Sequence, residues 1–383
     1  MSKYYRWITI LMGLVLIGGG LLAACGPAAT LTPVPPTKAP PTPVPPTATP
    51  VPEVKELVVQ TWGGAVQEAE NAAFYEPFEK ETGIKVIQVV GADVSAKLKA
   101  MVESGKVEWD VITGFGLMQI IRMGKDGLLE PVDYSIVTNT GDLIPGGKQE
   151  YGVAMEIYGD VIAYDVDAFK DNPPTSAADF FDLEKFPGNR CVNNWGSPEI
   201  PFYFALLADG VPREEIWTTL QTEEGRTRAL KKLDTIKPVL RTYESGDQMM
   251  RLFLDKEVTM GIVLDGRMNK VNSLGGNVKI IWDGGYADPA YWGVVKNAPH
   301  KEAAMKFLNY ILNPERQAVY TQHIFYGTSN TKAAQYLPEE LRRGASTYPD
   351  NLAKLHVLTA EDCAIIAEIQ PTLLELWNAW LTR

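Results

Sequence analysis

Across residues 55–383 short β-rich apolar bursts alternate with stretches in which apolar residues return every three or four positions. Leu57-Val58-Val59-Gln60-Thr61 reads as a first strand, and it breaks at Trp62-Gly63-Gly64. Ala69, Ala72, Phe74 and Phe78 then fall at helical spacing between Ala65 and Thr82, and Gly83 ends that helix. Ile84 to Val90 reads as a second strand, Ser95 to Glu103 as a helix closed by Ser104-Gly105, and Trp109 to Thr113 as a third strand running into Gly114-Phe115-Gly116. Successive strand, loop and helix units predict an α/β fold with mostly parallel strands. Ligands of such sheets bind outside the carboxyl ends of the strands, so Trp62, the 91–95 loop and the 113–116 loop are expected on one edge.

A different pattern fills the first 54 residues. An apolar run from Trp7 to Ala24 follows Lys3 and Arg6 and ends in Leu22-Ala23-Ala24-Cys25-Gly26. This resembles the lipobox of bacterial lipoprotein signals, which implies cleavage before Cys25, a diacylglycerol on its sulfur and a place in the periplasm or on the outer face of the cell membrane. The run is also barely long enough for a transmembrane anchor, although Gly18 to Gly20 weaken a spanning helix. Either reading holds the chain at a membrane. Residues 26–54 contain 11 prolines, and Thr-Pro-Val-Pro-Pro-Thr occurs at 32–37 and again at 42–47. Proline lacks an amide donor and favours extended backbone, so the lipidated cysteine and residues to 54 read as a semi-rigid spacer of up to ~90 Å at ~3.1 Å per residue. A proline-rich recognition ligand is the other reading of this segment.

Charge and motifs then narrow the function. With 36 basic and 47 acidic residues the formal charge is −11, and no basic run interleaved with aromatics occurs, which argues against nucleic acid as a partner. The body exceeds the size that one hydrophobic core serves, so two lobes are expected. Cys191 and Cys363 either pair in an oxidising compartment or stay as buried thiols. His300, His323 and His356 lack metal-ligand spacing, no GxSxG elbow or Walker loop is present, and Gly114-Phe115-Gly116 has Gln119 where a dinucleotide loop needs a third glycine. Neither catalysis, nor a metal, nor a cofactor is expected.

Several segments in order resemble the solute-binding proteins of bacterial ABC importers, and within them the spermidine/putrescine-binding branch. They are Val58 to Gly64, Phe78 to Val86, Lys97-Leu98 with Trp109-Asp110-Val111, Leu206 to Gly210, Glu244-Ser245-Gly246, Asp265-Gly266-Arg267, and Tyr291 to Val295 before Lys301 to Ala304. The resemblance covers nearly all of residues 55–383. It implies a two-lobed periplasmic-binding-protein fold of type II, each lobe a mostly parallel sheet flanked by helices, with the ligand in the cleft between lobes and closure about a hinge. Lobe 1 is expected at 55–156 plus 290–383 and lobe 2 at 157–289, with a few C-terminal segments leaning across and with crossings near Met155 to Tyr158 and near Asp288 to Trp292. A monomer serving a permease and ATPase complex is implied, with no cofactor. The alternative is a surface lipoprotein that senses or scaffolds through the same cleft without transport.

The ligand contacts expected on this frame are Trp62, Ser95, Thr113, Phe115, Tyr158, Glu244, Ser245, Asp265, Arg267 and Tyr291. Two glycines after Trp62 allow close backbone approach; Ser95 caps its helix or meets ligand; Thr113 and Phe115 pack or face the cleft; strand alternation favours Tyr291 over Trp292. A polyamine needs carboxylates for its ammoniums and aromatic faces for its chain. Here the sequence departs from the branch: Leu264-Asp265-Gly266 stands where polyamine binders carry Trp-Asn-Gly, and Ala290 where they carry a cleft aspartate. Arg267 can instead grip a carboxylate or phosphate with two parallel hydrogen bonds, or it pairs with Asp265 or another acid. Relatives with this arginine resemble binders of zwitterions such as γ-aminobutyrate, so the ligand is a polyamine or such a zwitterion. Asp283 or Asp288 supplies the missing carboxylate or serves a turn, and Glu199 and Tyr243 are further contacts.

Overall fold

The computed structural model describes residues 54–91 and 94–383. The leader, Cys25, the spacer before Val54 and residues 92–93 of the 91–95 loop lie outside the described residues.

Strand β1 (Glu56–Thr61) buries Leu57 and Val59 and pairs in parallel with β2 (Lys85–Val90) from Glu56 opposite Lys85 to Thr61 opposite Val90. β3 (Val111–Phe115) lies on its other side, also parallel. The intervening helix runs Gly64–Glu70, through a π turn at Asn71–Tyr75, to Glu76–Thr82. The π turn adds a residue and rotates the buried face, so Ala73, Phe74 and Tyr75 are buried while Ala72, expected on that face, is half covered. Gly83 ends the helix at φ 74° and donates its amide to the Glu79 carbonyl, a left-handed stop that favours glycine.

Two long strands carry the chain between halves. β4 (Val153–Asp165) and β8 (Val278–Val294) pair antiparallel over nearly their whole length. Three shorter strands follow β4: β5 (Arg190–Asn193), β6 (Leu240–Tyr243) and β7 (Met260–Leu264). The sheet order is β2-β1-β3-β8-β4-β7-β5-β6, with β9 (Gly327–Thr328) added to β4 and β10 (His356–Val357) to β8. A parallel group (β2, β1, β3) and a second group in which β7, β5 and β6 are mutually parallel thus flank one antiparallel pair. Trp292 anchors the first group by packing on Phe74 at 5.6 Å and Phe307 at 6.1 Å, and burying such rings stabilises by roughly 1.5–3 kcal/mol each.

The strands β4 and β8 contain the stretches 155–158 and 288–292, near which the crossings are expected. The last helix, Ala360–Thr382, reaches across: Gln370, Trp377 and Trp380 hydrogen-bond Glu199, Asn194 and Asp234 of the second half. The stretch 290–383, expected in lobe 1 with C-terminal segments leaning across, ends on elements from 157–289. Cys191 and Cys363 are both buried and free, the second of the two readings. Among the described residues no helix is long and apolar enough to cross a membrane.

Candidate ligand-binding site

Trp62 follows β1 and is 45% exposed, unusual for a tryptophan beside a sheet edge. Its indole Nε1 donates to the Thr113 carbonyl at 2.8 Å and its ring tilts against Phe115 at 5.2 Å. Gly114 makes this possible. At φ 72° it exposes its carbonyl neighbour, and a Cβ there would stand 2.7 Å from Nε1. Trp62, Thr113 and Phe115 are therefore brought together on the edge where strands β1 and β3 end.

Across from them the helix Asp265–Ser273 holds Arg267, with a side chain only 10% exposed. Its Nη1 meets Asp247 Oδ1 at 3.2 Å, and Asp247 itself is 56% exposed in the first turn of the helix Gly246–Leu254. Gly246 lies so close that a Cβ would come within 2.7 Å of Arg267 Nε. That Nε is buried and has no hydrogen-bond partner, an arrangement that costs roughly 1–3 kcal/mol unless something else accepts its proton. Asp247 also reaches the other strand group: its Oδ2 lies 3.0 Å from where a Cβ on Gly64 would be.

The crossing strands close the circuit. On β4, Glu156, Tyr158 and Asp160 alternate and share a face, and β8 sets Ala290, Asp288 and Tyr286 opposite them. The Tyr158 hydroxyl donates to Asp288 at 3.1 Å, and the Leu117 amide donates to the same carboxylate at 3.2 Å. Gly116 touches it so closely that a Cβ would overlap Asp288 Oδ2. Two chains of contact outline the ring, one from Gly64 to Asp247 and on to Arg267 and one from Tyr158 through Asp288 and Gly116 to Phe115 and Trp62, with Arg267 within electrostatic reach of Glu156. An open hollow between Phe181, Asp182 and Lys232 lies elsewhere and shares no residue with this ring.

Burial dominates the electrostatics and outweighs the hydrogen bonds that Asp288 and Asp265 accept. It pushes Glu156 up to about 7 and Asp288 and Asp265 each up to about 6, while Asp160 rises well above the usual carboxylate range. Asp288 and Glu199 raise Asp160 further by like charge.

The remaining expected contacts fall into place unevenly. Asp265 is fully buried and accepts the Gly159 amide at 3.0 Å and the Ser346 amide at 3.2 Å, so its oxygens tie backbone segments together. Ser245 is the N-cap of the helix Gly246–Leu254, accepting the Gln248 amide at 3.1 Å; Glu244 beside it is exposed. Ser95 sits exposed inside the helix Val94–Ser104 rather than ahead of it as a cap. Tyr291 is buried and spends its hydroxyl on the Gly146 carbonyl at 2.9 Å. Tyr243 is buried and donates to the Ile262 carbonyl at 2.8 Å. Asp160 and Asp247 are not among the expected contacts, nor is Tyr326, a buried ring beside the Arg267 guanidinium. The only sequence signal for Asp160 is polar alternation, Glu156-x-Tyr158-x-Asp160, inside an otherwise apolar strand.

Comparison with known proteins places this ring in context. Residues 73–347 match the family description "Bacterial extracellular solute-binding protein". The γ-aminobutyric acid-binding protein of Pseudomonas aeruginosa is 33% identical over 329 residues, 86% of this chain and 92% of that one. The spermidine/putrescine-binding periplasmic protein of Salmonella typhimurium is 27% identical over 287 residues, 72% of this chain and 79% of its own. Among solved structures, the GABA receptor Atu4243 superposes with a TM-score of 0.76 at 32% identity, covering 85% of this chain and 98% of that one. All three are binding proteins rather than enzymes.

Proposed function

This chain belongs to the bacterial extracellular solute-binding proteins, and from that premise we propose that it captures a small amine-bearing carboxylate, a zwitterion like γ-aminobutyrate, for an ABC importer. The observation that carries the ligand class is Arg267, buried with its Nε unpartnered and facing one carboxylate that is itself mostly in solvent. A ligand carboxylate would satisfy that donor with a charge-assisted bond. The similarity to a γ-aminobutyric acid-binding protein supports the same class. A polyamine is the second reading, favoured by the buried carboxylates of β4 and β8 and by the spermidine/putrescine-binding relative.

On this reading the two strand groups, lobe 1 from 55–156 with part of 290–383 and lobe 2 from 157–289, close about β4 and β8. Contacts from both lobes to one ligand favour the closed state, which the permease and ATPase read. The receptor works as a monomer, tethered through lipid on Cys25 and lifted from the membrane by its spacer.

Thermal-shift screening of the purified protein against γ-aminobutyrate, other amino acids, putrescine, spermidine and organophosphates tests the ligand class, because a ligand of the folded state raises the melting temperature. Stabilisation by putrescine and spermidine with no response to carboxylated amines sinks the zwitterion reading. Fatty-acid labelling of cells expressing the full chain tests the anchor: label lost in Cys25→Ser supports it, and label unchanged refutes it.

A further inference from the structure

The strands β7, β5 and β6 are mutually parallel with β5 in the middle, so their carboxyl ends lie side by side. From the end of β7 starts the helix Asp265–Ser273, with Arg267 in its first turn. After β6 and Glu244-Ser245 starts the helix Gly246–Leu254, with Asp247 in its first turn. The Arg267 to Asp247 ion pair at 3.2 Å therefore joins the elements on either side of β5. What leaves β5 between them is the loop Asn194-Trp195-Gly196-Ser197, whose tryptophan is only half-buried.

That loop is held from three sides. The Asn194 amide donates to the Tyr243 carbonyl at 2.7 Å, and Asn194 Oδ1 accepts from the Trp377 indole at 2.9 Å. Asn193 Nδ2 donates to the Ser197 carbonyl at 2.9 Å. The Trp195 ring stands edge-on to Tyr243 at 5.1 Å, and the Tyr243 hydroxyl is itself fixed on the Ile262 carbonyl. Tyr243 in turn lies within electrostatic reach of Asp160 and Tyr326. A ring placed this way loses little freedom when a ligand packs against it.

The arrangement repeats that of Trp62 in the first half. Each tryptophan comes within two residues of a strand end and precedes a glycine of positive φ, Gly63 at 74° or Gly196 at 92°. Each also leans on a second aromatic ring, Phe115 at 5.2 Å or Tyr243 at 5.1 Å. Gly64 lies against Asp247, so the Trp62 loop meets the edge on which Trp195 stands.

We propose that Trp195 is the wall of the ligand site on the second half and a specificity-determining residue. Its ring packs the hydrocarbon segment of the ligand beyond the carboxylate that Arg267 holds, and so selects among unbranched ω-amino carboxylates by chain length. The wall rests on the receptor reading above and adds which part of the ligand the second half reads. Selection of this kind needs no charge: methylenes laid on an indole leave water, and each is worth up to about fourfold in affinity. A shorter ligand gripped at the same arginine leaves the ring uncovered.

Isothermal titration calorimetry with the full chain and with Trp195→Ala tests the wall, with β-alanine, γ-aminobutyrate and 5-aminovalerate as probes. In the parent, affinity should differ across the series by up to about fourfold per methylene. In Trp195→Ala that spread should shrink toward one, with most of the loss falling on the tightest ligand. A ring that only covers Tyr243 would lower the melting temperature when removed and leave the ratios between the three ligands where they were. If Trp195→Ala does not fold, Trp195→Leu, which keeps apolar cover over Tyr243 without the planar face, is measured in its place and should shrink the spread in part. Equal affinities across the series in the parent, or unchanged ratios in the variant, overturn the wall and leave the receptor reading standing. Silence of all three probes in the parent overturns the zwitterion reading and the wall with it.

Discussion

Asp247 Oδ1 lies 3.2 Å from the Arg267 guanidinium, while its second oxygen lies against Gly64 of the opposite strand group. One exposed carboxylate thus occupies the arginine and touches both halves of the molecule. A ligand carboxylate has to compete with it. Asp247→Ala should therefore bind γ-aminobutyrate more tightly, by up to about fivefold, since a partly exposed ion pair is worth ~0.2–1 kcal/mol. Arg267→Ala should weaken the same ligand by on the order of a hundredfold, and calorimetry on both variants checks the pair. Unchanged affinity in Arg267→Ala would make the arginine structural.

Gly114 holds its left-handed φ of 72° directly beneath the Trp62 indole. Gly114→Ala strains the backbone by ~1–3 kcal/mol and places a methyl 2.7 Å from Nε1, so the Trp62 to Thr113 hydrogen bond must break. The expected result is a lower melting temperature together with a red-shifted tryptophan emission as the ring moves further into water. A spectrum identical to the parent protein would contradict the contact.

Trp62 offers its exposed ring at the mouth of the ring of contacts. Trp62→Ala should weaken an amine ligand by ~1–2 kcal/mol, roughly tenfold, if the ring lies against the cation, whereas Trp62→Phe should recover part of that loss. Equal loss in both variants would shift the role from the ring face to the Nε1 hydrogen bond.

Glu70 sits fully buried under the same edge, accepting hydrogen bonds from Thr61 and, at 2.9 Å, from Tyr75. Burial raises it from 4.5 to about 8. Between those values the folded chain keeps a proton that the unfolded chain has released, so stability falls as pH rises through the window and levels off above it. Glu70→Gln keeps an acceptor for both hydroxyls and removes the proton. Its melting temperature should be less sensitive between pH 5 and pH 8 than that of the parent, which differential scanning calorimetry measures; equal slopes would place the pH dependence elsewhere.

Much of the first strand group was legible in the sequence because its signals are local. The β1 burst, the helical spacing from Ala65 to Thr82, the stop at Gly83 and the glycines after Trp62 and Thr113 each act within a few residues. The π turn escaped because it obeys no apolar period, and it shifted the buried face by one position. Ser245 read as a ligand contact because its position matched a binding loop, yet its oxygen caps the helix that follows.

The sequence by itself determined the class of fold, the family and the residue types available for an amine or a carboxylate, since periodicity, glycine placement and ordered motifs are carried along the chain. Only the tertiary structure decided which of them meet. Asp247 faces Gly64 and Arg267, Asp288 faces Tyr158 and Gly116, and Glu199 approaches Asp160, because the pairing of β4 with β8 folds distant segments onto one another. Burial, which sets the charge state of those acids, is a property of that folding and has no signature in any single segment.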